Sequence, residues 1–201
     1  MGAASTIASV VIAAIAALAA APSPSRAADA ADAIAFASGM FGGPVKTEKA
    51  EACFVRRYDA RHLAQHKRQQ VTSMRLLVTA ENVADYEGLV YHYRAAVKLR
   101  NQAGDFDADG FCGGARISEE PGERPKLSCE TSCEGGGMTI ALSDDNKSTI
   151  VALSSITITP HGKDESKSRT LKGGADDRKF RLDRAPLADC PTPSTDHVAA
   201  Q

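Results

Sequence analysis

The sequence predicts an all-β fold, an antiparallel barrel or sandwich with one short helix. Three observations carry this: hydrophobicity alternates with period two in the best-patterned segments, Gly, Pro, Asn and Asp recur between short runs, and 201 residues with 43% hydrophobic content fit one domain. Lys and Arg number 24 against 25 Asp and Glu, a net charge of -1, so the basic footprint that phosphate-driven nucleic-acid binding requires is missing.

The first element is an export signal over residues 1–27. Ile7 to Ala21 is a fifteen-residue run of almost pure Ala, Val, Ile and Leu. That is short of the about 20 residues a spanning helix needs and matches the apolar core of a cleaved secretory signal. Met1 to Thr6 holds no Lys or Arg, so the terminal amine is the only positive charge ahead of the run. Cleavage after Ala27 puts the small residues Ser25 and Ala27 at the positions before the cut, and no Cys follows for lipid attachment. The expected location is periplasmic or secreted, with no membrane span left after cleavage. Residues 28–51 are Ala-rich with a Gly42-Gly43-Pro44 break and no clean period, and are read as a loosely structured N-terminal segment. The β domain is expected over 52–190.

Within that domain, Asp59 caps a short helix near Arg61 to Lys67. In VTSMRLLVTA, Met74, Leu76, Val78 and Ala80 share one face and Leu77 breaks the polar one. Leu89, Tyr91, Tyr93, Ala95, Val97 and Leu99 alternate with His92, Arg94, Ala96, Lys98 and Arg100. Shorter strands are expected at 113–118, 126–130, 138–143, 148–153, 156–159 and 179–183, separated by Pro121-Gly122, Gly135 to Gly137, Asp144 to Lys147, His161-Gly162 and Gly173-Gly174. Residues 191–201, with two further prolines and few apolar residues, are expected to form a mobile tail.

Five cysteines, Cys53, Cys112, Cys129, Cys133 and Cys190, follow the signal, and an oxidising compartment should pair four of them. Cys53 to Cys190 closes nearly the whole domain. A hairpin turning near Pro121-Gly122 sets Cys112 opposite Cys129 or Cys133. The spacing Cys129-ETS-Cys133 fits neither a two-residue redox motif nor an α/β context.

Three constellations bear on chemistry. His62 and His66 stand four apart on one helix face, but Leu63 occupies the position of a zincin's glutamate, so the pair reads as padding of a surface helix. A hydrolase would need His62, His66 or His92 to meet a carboxylate in a cleft; no GxSxG elbow and no GxGxxG or phosphate loop occurs. Asp105, Asp107 and Asp109 followed by Gly110 match the opening half of a calcium loop. Its closing position holds Arg116 and its eighth position Cys112, so either Glu119 or Glu120 folds back to complete a nonstandard site or the segment is an acidic solvated turn.

The stretch CFVRRYDARHLAQHKRQQVTSMRLLV, with DDRKFRLDRAPLADC, resembles a group of small secreted bacterial proteins sharing a Cys, an HLxxH turn and a C-terminal Cys. The resemblance covers about half of the chain and implies export and cysteine pairing, with no activity attached. The expected function is an exported non-catalytic β-barrel module, binding or structural, whose partner is a small ligand or a protein. The alternatives are a periplasmic hydrolase using a surface histidine and a calcium-stabilised module.

Overall fold

The computed structural model describes residues 24–191, apart from 47, 84–85, 87, 117–123 and 132–135. In chain order the elements are helix α1 (Pro24–Phe41), β1 (Lys49–Arg57), α2 (Ala60–Gln65), β2 (Val71–Asn82), β3 (Leu89–Leu99), β4 (Phe106–Arg116), β5 (Lys126–Thr131), β6 (Gly137–Leu142), β7 (Ser148–Leu153), β8 (Ser155–Pro160), β9 (Arg169–Lys172) and β10 (Lys179–Ala185). Strands β1 to β7 run as an antiparallel meander, β10 pairs β7 on one side and β1 on the other, and β3 pairs β4, so eight strands close a barrel. The β8–β9 hairpin is inserted before β10. It pairs with the start of β4 through Phe106 and Asp107, below the point where β5 takes over that edge.

Alternation builds the wall. Met74, Leu76, Val78 and Ala80 point inward from β2, and Tyr91, Tyr93, Ala95, Val97 and Leu99 point inward from β3, all in one buried cluster. In register across four neighbouring strands, Leu127, Ile140, Val151 and Phe180 form a row of inward side chains exposed by 1% or less. A void large enough for a water molecule would give its lining accessible surface. Phe54, Leu76, Val78, Val97, Leu127, Ile140, Val151 and Leu182 have none and come from seven of the eight barrel strands, and Ile156 and Ile158 of the β8 insertion, equally buried, join the same cluster. The interior is therefore filled with side chains, as an eight-stranded barrel of this width allows.

Leu77, the exception on the outer face of β2, is explained by what covers it. With Cys53, Cys190, Val55 and Ala185 it makes a second, separate apolar cluster outside the barrel. Segment 105–110 is corrected: it is not a turn but the approach to β4 and its opening residues. Phe106, Ala108 and Cys112 are buried, and Asp105, Asp107 and Asp109 lie on the outer face. Gly110 is required there, because a Cβ would sit 2.0 Å from the Glu130 carbonyl oxygen and 2.9 Å from the Tyr93 ring.

Residues 28–41, expected to be loose, form most of α1. Phe36, Ala37 and Met40 are buried and Phe41 stacks on Tyr91 with ring centroids 6.4 Å apart, so the helix closes the barrel end that carries the β6–β7 turn. Arg184 clamps its C-terminus: the guanidinium donates to the carbonyl oxygens of Gly39 (2.8 Å) and Met40 (2.9 Å), a cation at the negative end of the helix dipole. Toward the opposite end the β8–β9 hairpin brings Ile156, Ile158 and Leu171 into the core, and the 58–70 segment is tied to the rim. Buried Asp177 accepts from the backbone N–H groups of Gln70 (2.7 Å) and Val71 (3.1 Å), and Arg100 donates to the carbonyls of Leu63, His66 and Gln69. Asp59 caps α2 as expected, accepting from the His62 N–H at 2.7 Å. The tail from residue 192 lies outside the described residues.

Candidate functional site

The outer wall over β2, β3, β4 and β8 carries a run of charged and polar side chains. Asp105 is bridged to Arg75, and Lys98 Nζ stands 3.6 Å from its other oxygen. Asp107 Oδ2 lies 2.6 Å from Nδ1 of His161, and Asp109 stands opposite Arg94 in the strand register. Same-face residues on a strand are about 6.6 Å apart, at a rise of about 3.3 Å per residue, whereas calcium draws its oxygens to about 2.3–2.6 Å. The three aspartates thus run along the wall, and Asp105 and Asp107 are engaged by cationic or titratable partners. Glu119 and Glu120 lie outside the described residues. Among the described residues no group of three His, Cys, Asp or Glu side chains stands close enough to hold a metal ion.

His161 and Asp107 are the pairing that sequence reasoning missed. They are 54 residues apart and meet because β8 pairs with the start of β4. A carboxylate accepts only, so Nδ1 carries the proton, and in the neutral imidazole Nε2 is then the acceptor. The imidazole is 72% exposed and Asp107 18%. Such a pair can take a proton from a bound group. Among the described residues no hydroxyl bonds to Nε2; the nearby Thr159 and Ser168 hydroxyls bond to each other at 2.7 Å.

The three histidines named from sequence occupy opposite ends of β3. His62 and His66 stack on one another (4.2 Å between centroids) and Tyr58 stacks on His62 (4.5 Å). The Gln69 amide donates to the Val71 carbonyl, which turns its oxygen toward His62 Nε2 at 2.9 Å and makes that nitrogen the donor. Stacked imidazoles aim their ring nitrogens in parallel planes, not at one point, so this geometry pads the loop and does not chelate. His66 Nδ1 is 4.0 Å from Asp176, and His92 lies against the exposed ring of Phe111. Burial pushes the phenol of Tyr58 up, against a smaller opposing effect of Arg56, and burial alone does so for Tyr91.

An open groove of about 730 Å³ runs along the ends of β5, β6 and β7. Its lining includes Cys129, Met138 and Leu153 together with the opposite charges of Glu130 and Arg178. Gly137 and Gly173 let the backbone approach its neighbours there, since a Cβ would lie 2.6 Å from the Cys129 carbonyl oxygen or 2.1 Å from that of Leu153.

Two disulfides join Cys53 to Cys190 and Cys112 to Cys129. The second links directly opposed residues of β4 and β5, which settles the hairpin alternative in favour of Cys129. Cys133 lies outside the described residues. Among the described residues no helix is long and apolar enough to cross a membrane. No family model, no curated protein and no solved structure matches the chain.

Proposed function

We propose that the protein is an exported, non-catalytic β-barrel module that acts through its outer surface. The observation that carries this is the filled interior: inward side chains from seven of the eight barrel strands have no accessible surface, α1 closes one end, and the β8–β9 hairpin adds Ile156, Ile158 and Leu171 to the core toward the other. A barrel that holds a small ligand keeps an apolar cavity with a few converging polar groups. Binding therefore falls to the wall, with the groove over β5–β7 and the charged face of β3, β4 and β8 as its available features. The two disulfides and the apolar leader over 7–21 support a periplasmic or secreted location. Expression of the whole chain in a bacterium, followed by fractionation, N-terminal sequencing and native mass spectrometry, tests both parts. A periplasmic or extracellular chain beginning at Ala28 and carrying no co-purified apolar molecule is expected. Cytoplasmic retention overturns the export reading, and a stoichiometric lipid or other apolar guest overturns the surface-binding reading.

The His161–Asp107 pair favours a second reading, a hydrolase working through a surface imidazole. Chromogenic ester turnover that disappears in His161→Ala would establish it over the first.

A further inference from the structure

From β10 the chain leaves the wall and crosses the outer face of β1 and β2 as a short strap, Pro186 to Cys190. The strap's backbone hydrogen bonds are internal: Asp189 N–H to the Pro186 carbonyl and Cys190 N–H to the Leu187 carbonyl, both at 3.0 Å. Its single 3-10 turn, Leu187–Asp189, buries no residue, and Leu187 is 50% exposed. What ties the strap down is Cys190, bonded to Cys53 with its sulfur 3.2 Å from the Leu76 carbonyl oxygen. Beneath lies apolar surface on the outer wall: Leu77, 3% exposed, with Val55 and Ala185 beside it.

We propose that the Cys53–Cys190 disulfide is a redox-operated clasp, whose reduction frees the strap and uncovers the Leu77 patch while the barrel stays folded. The chemistry is thiol–disulfide exchange with a dithiol reductant. The reductant's thiolate attacks Sγ of Cys190, the more exposed residue of the two at 8% against 1% for Cys53. The S–S bond breaks, Cys53 leaves as a thiolate and takes a proton from water. The reductant's second thiol then displaces Cys190 from the mixed disulfide, leaving two protein thiols and an oxidised reductant. The other bridge has no such consequence, because Cys112 and Cys129 are held opposite one another by the β4–β5 ladder on both sides of the bond. Reducing it releases no segment.

The two bridges make the test internal to one molecule. The whole oxidised chain is titrated with dithiothreitol, thiols are trapped by alkylation and mapped by mass spectrometry, and amide hydrogen exchange is followed at each step. Cys53 and Cys190 are expected to become alkylated at lower dithiothreitol than Cys112 and Cys129. Exchange at Asp189 and Cys190 should rise about tenfold or more, as for a segment released from its anchor, beyond the uniform rise that lower global stability brings, while β2 and β3 remain among the slowest-exchanging amides of a folded barrel. A Cys190→Ser variant, oxidised at Cys112 and Cys129, should show the same released strap without reductant and a gain of fluorescence from an apolar dye. Unchanged strap exchange after reduction overturns the proposal. So does unfolding of the barrel in the reduced chain or in Cys190→Ser, seen as exchange throughout at the rate of an unstructured chain, which would make the bond a staple of the fold.

Discussion

Truncating Ile140 to alanine tests how tightly the barrel is filled. Ile140 points inward from β6, has no accessible surface, and stands in register between Leu127 on β5 and Val151 on β7, both fully buried as well. Those neighbours are fixed to hydrogen-bonded backbone on either side, so they cannot move in to fill the space a lost sec-butyl group leaves. Large-to-small changes of this kind cost about 2–5 kcal/mol, the upper part of the range applying where the site cannot collapse. Ile140→Ala should therefore lower stability by about 4 kcal/mol, and Ile140→Val, which removes one methyl, by about 1 kcal/mol. At roughly 2–4 °C per kcal/mol for a domain of this size, the alanine variant should melt about 8–16 °C lower. Urea unfolding of the oxidised protein, followed by far-ultraviolet circular dichroism, measures both variants, and an unchanged m-value verifies that the same surface is exposed. A loss below about 1.5 kcal/mol for Ile140→Ala, less than the low end of the measured range, would refute the reasoning, because it would mean that the interior already had slack around this residue.

Removing the two disulfides separately should give unequal losses. Chain-entropy arithmetic gives about 5 kcal/mol for the Cys53–Cys190 closure and about 3 kcal/mol for Cys112–Cys129, following their sequence separations of 137 and 17. Equal losses in chemical denaturation of the paired serine variants would contradict this. Burial raises the folded-state pKa of Tyr58 and Tyr91, so their contribution to stability is fully present below the unfolded tyrosine value of about 10 and is lost as pH rises through the raised folded values. Absorbance titration of tyrosinate should show at least two phenols, Tyr58 and Tyr91, ionising later than free tyrosine, and stability that keeps increasing above pH about 10 would contradict the sign. Because Asp105, Asp107 and Asp109 are spread along β4, the melting temperature should be the same in EDTA and in millimolar calcium. A rise of several degrees with calcium would restore the calcium-stabilised reading.

Period two was legible wherever the inward residues are large. Strands β2 and β3 carry Met, Leu, Val and Tyr on one side, and their extents read directly from the alternation. Strand β4 uses the same period, but its inward positions are Phe106, Ala108, Gly110 and Cys112. Three small residues give little contrast, and the Asp and Gly content imitated a turn. Helix α1 was hidden for a related reason: Ala occupies both faces, and only Phe36, Ala37 and Met40 mark the buried side. Leu77 violated its pattern because the covering strap arrives from the far end of the chain, a long-range fact held in the Cys53–Cys190 pairing. The His161–Asp107 contact depends on a hairpin that leaves the meander and returns to β4, and neither residue has a local signal for it.

Xenon binding measures the central claim most directly. Xenon enters apolar voids as small as a few side-chain atoms and leaves packed cores empty. In crystals of the oxidised protein under xenon pressure, the account predicts no xenon between the inward faces of β1, β2, β5, β6, β7 and β10, and a new site beside residue 140 only in Ile140→Ala. A xenon atom among Leu76, Leu127, Ile140 and Phe180 of the unaltered protein would contradict the filled barrel and return the interior to consideration as a ligand site.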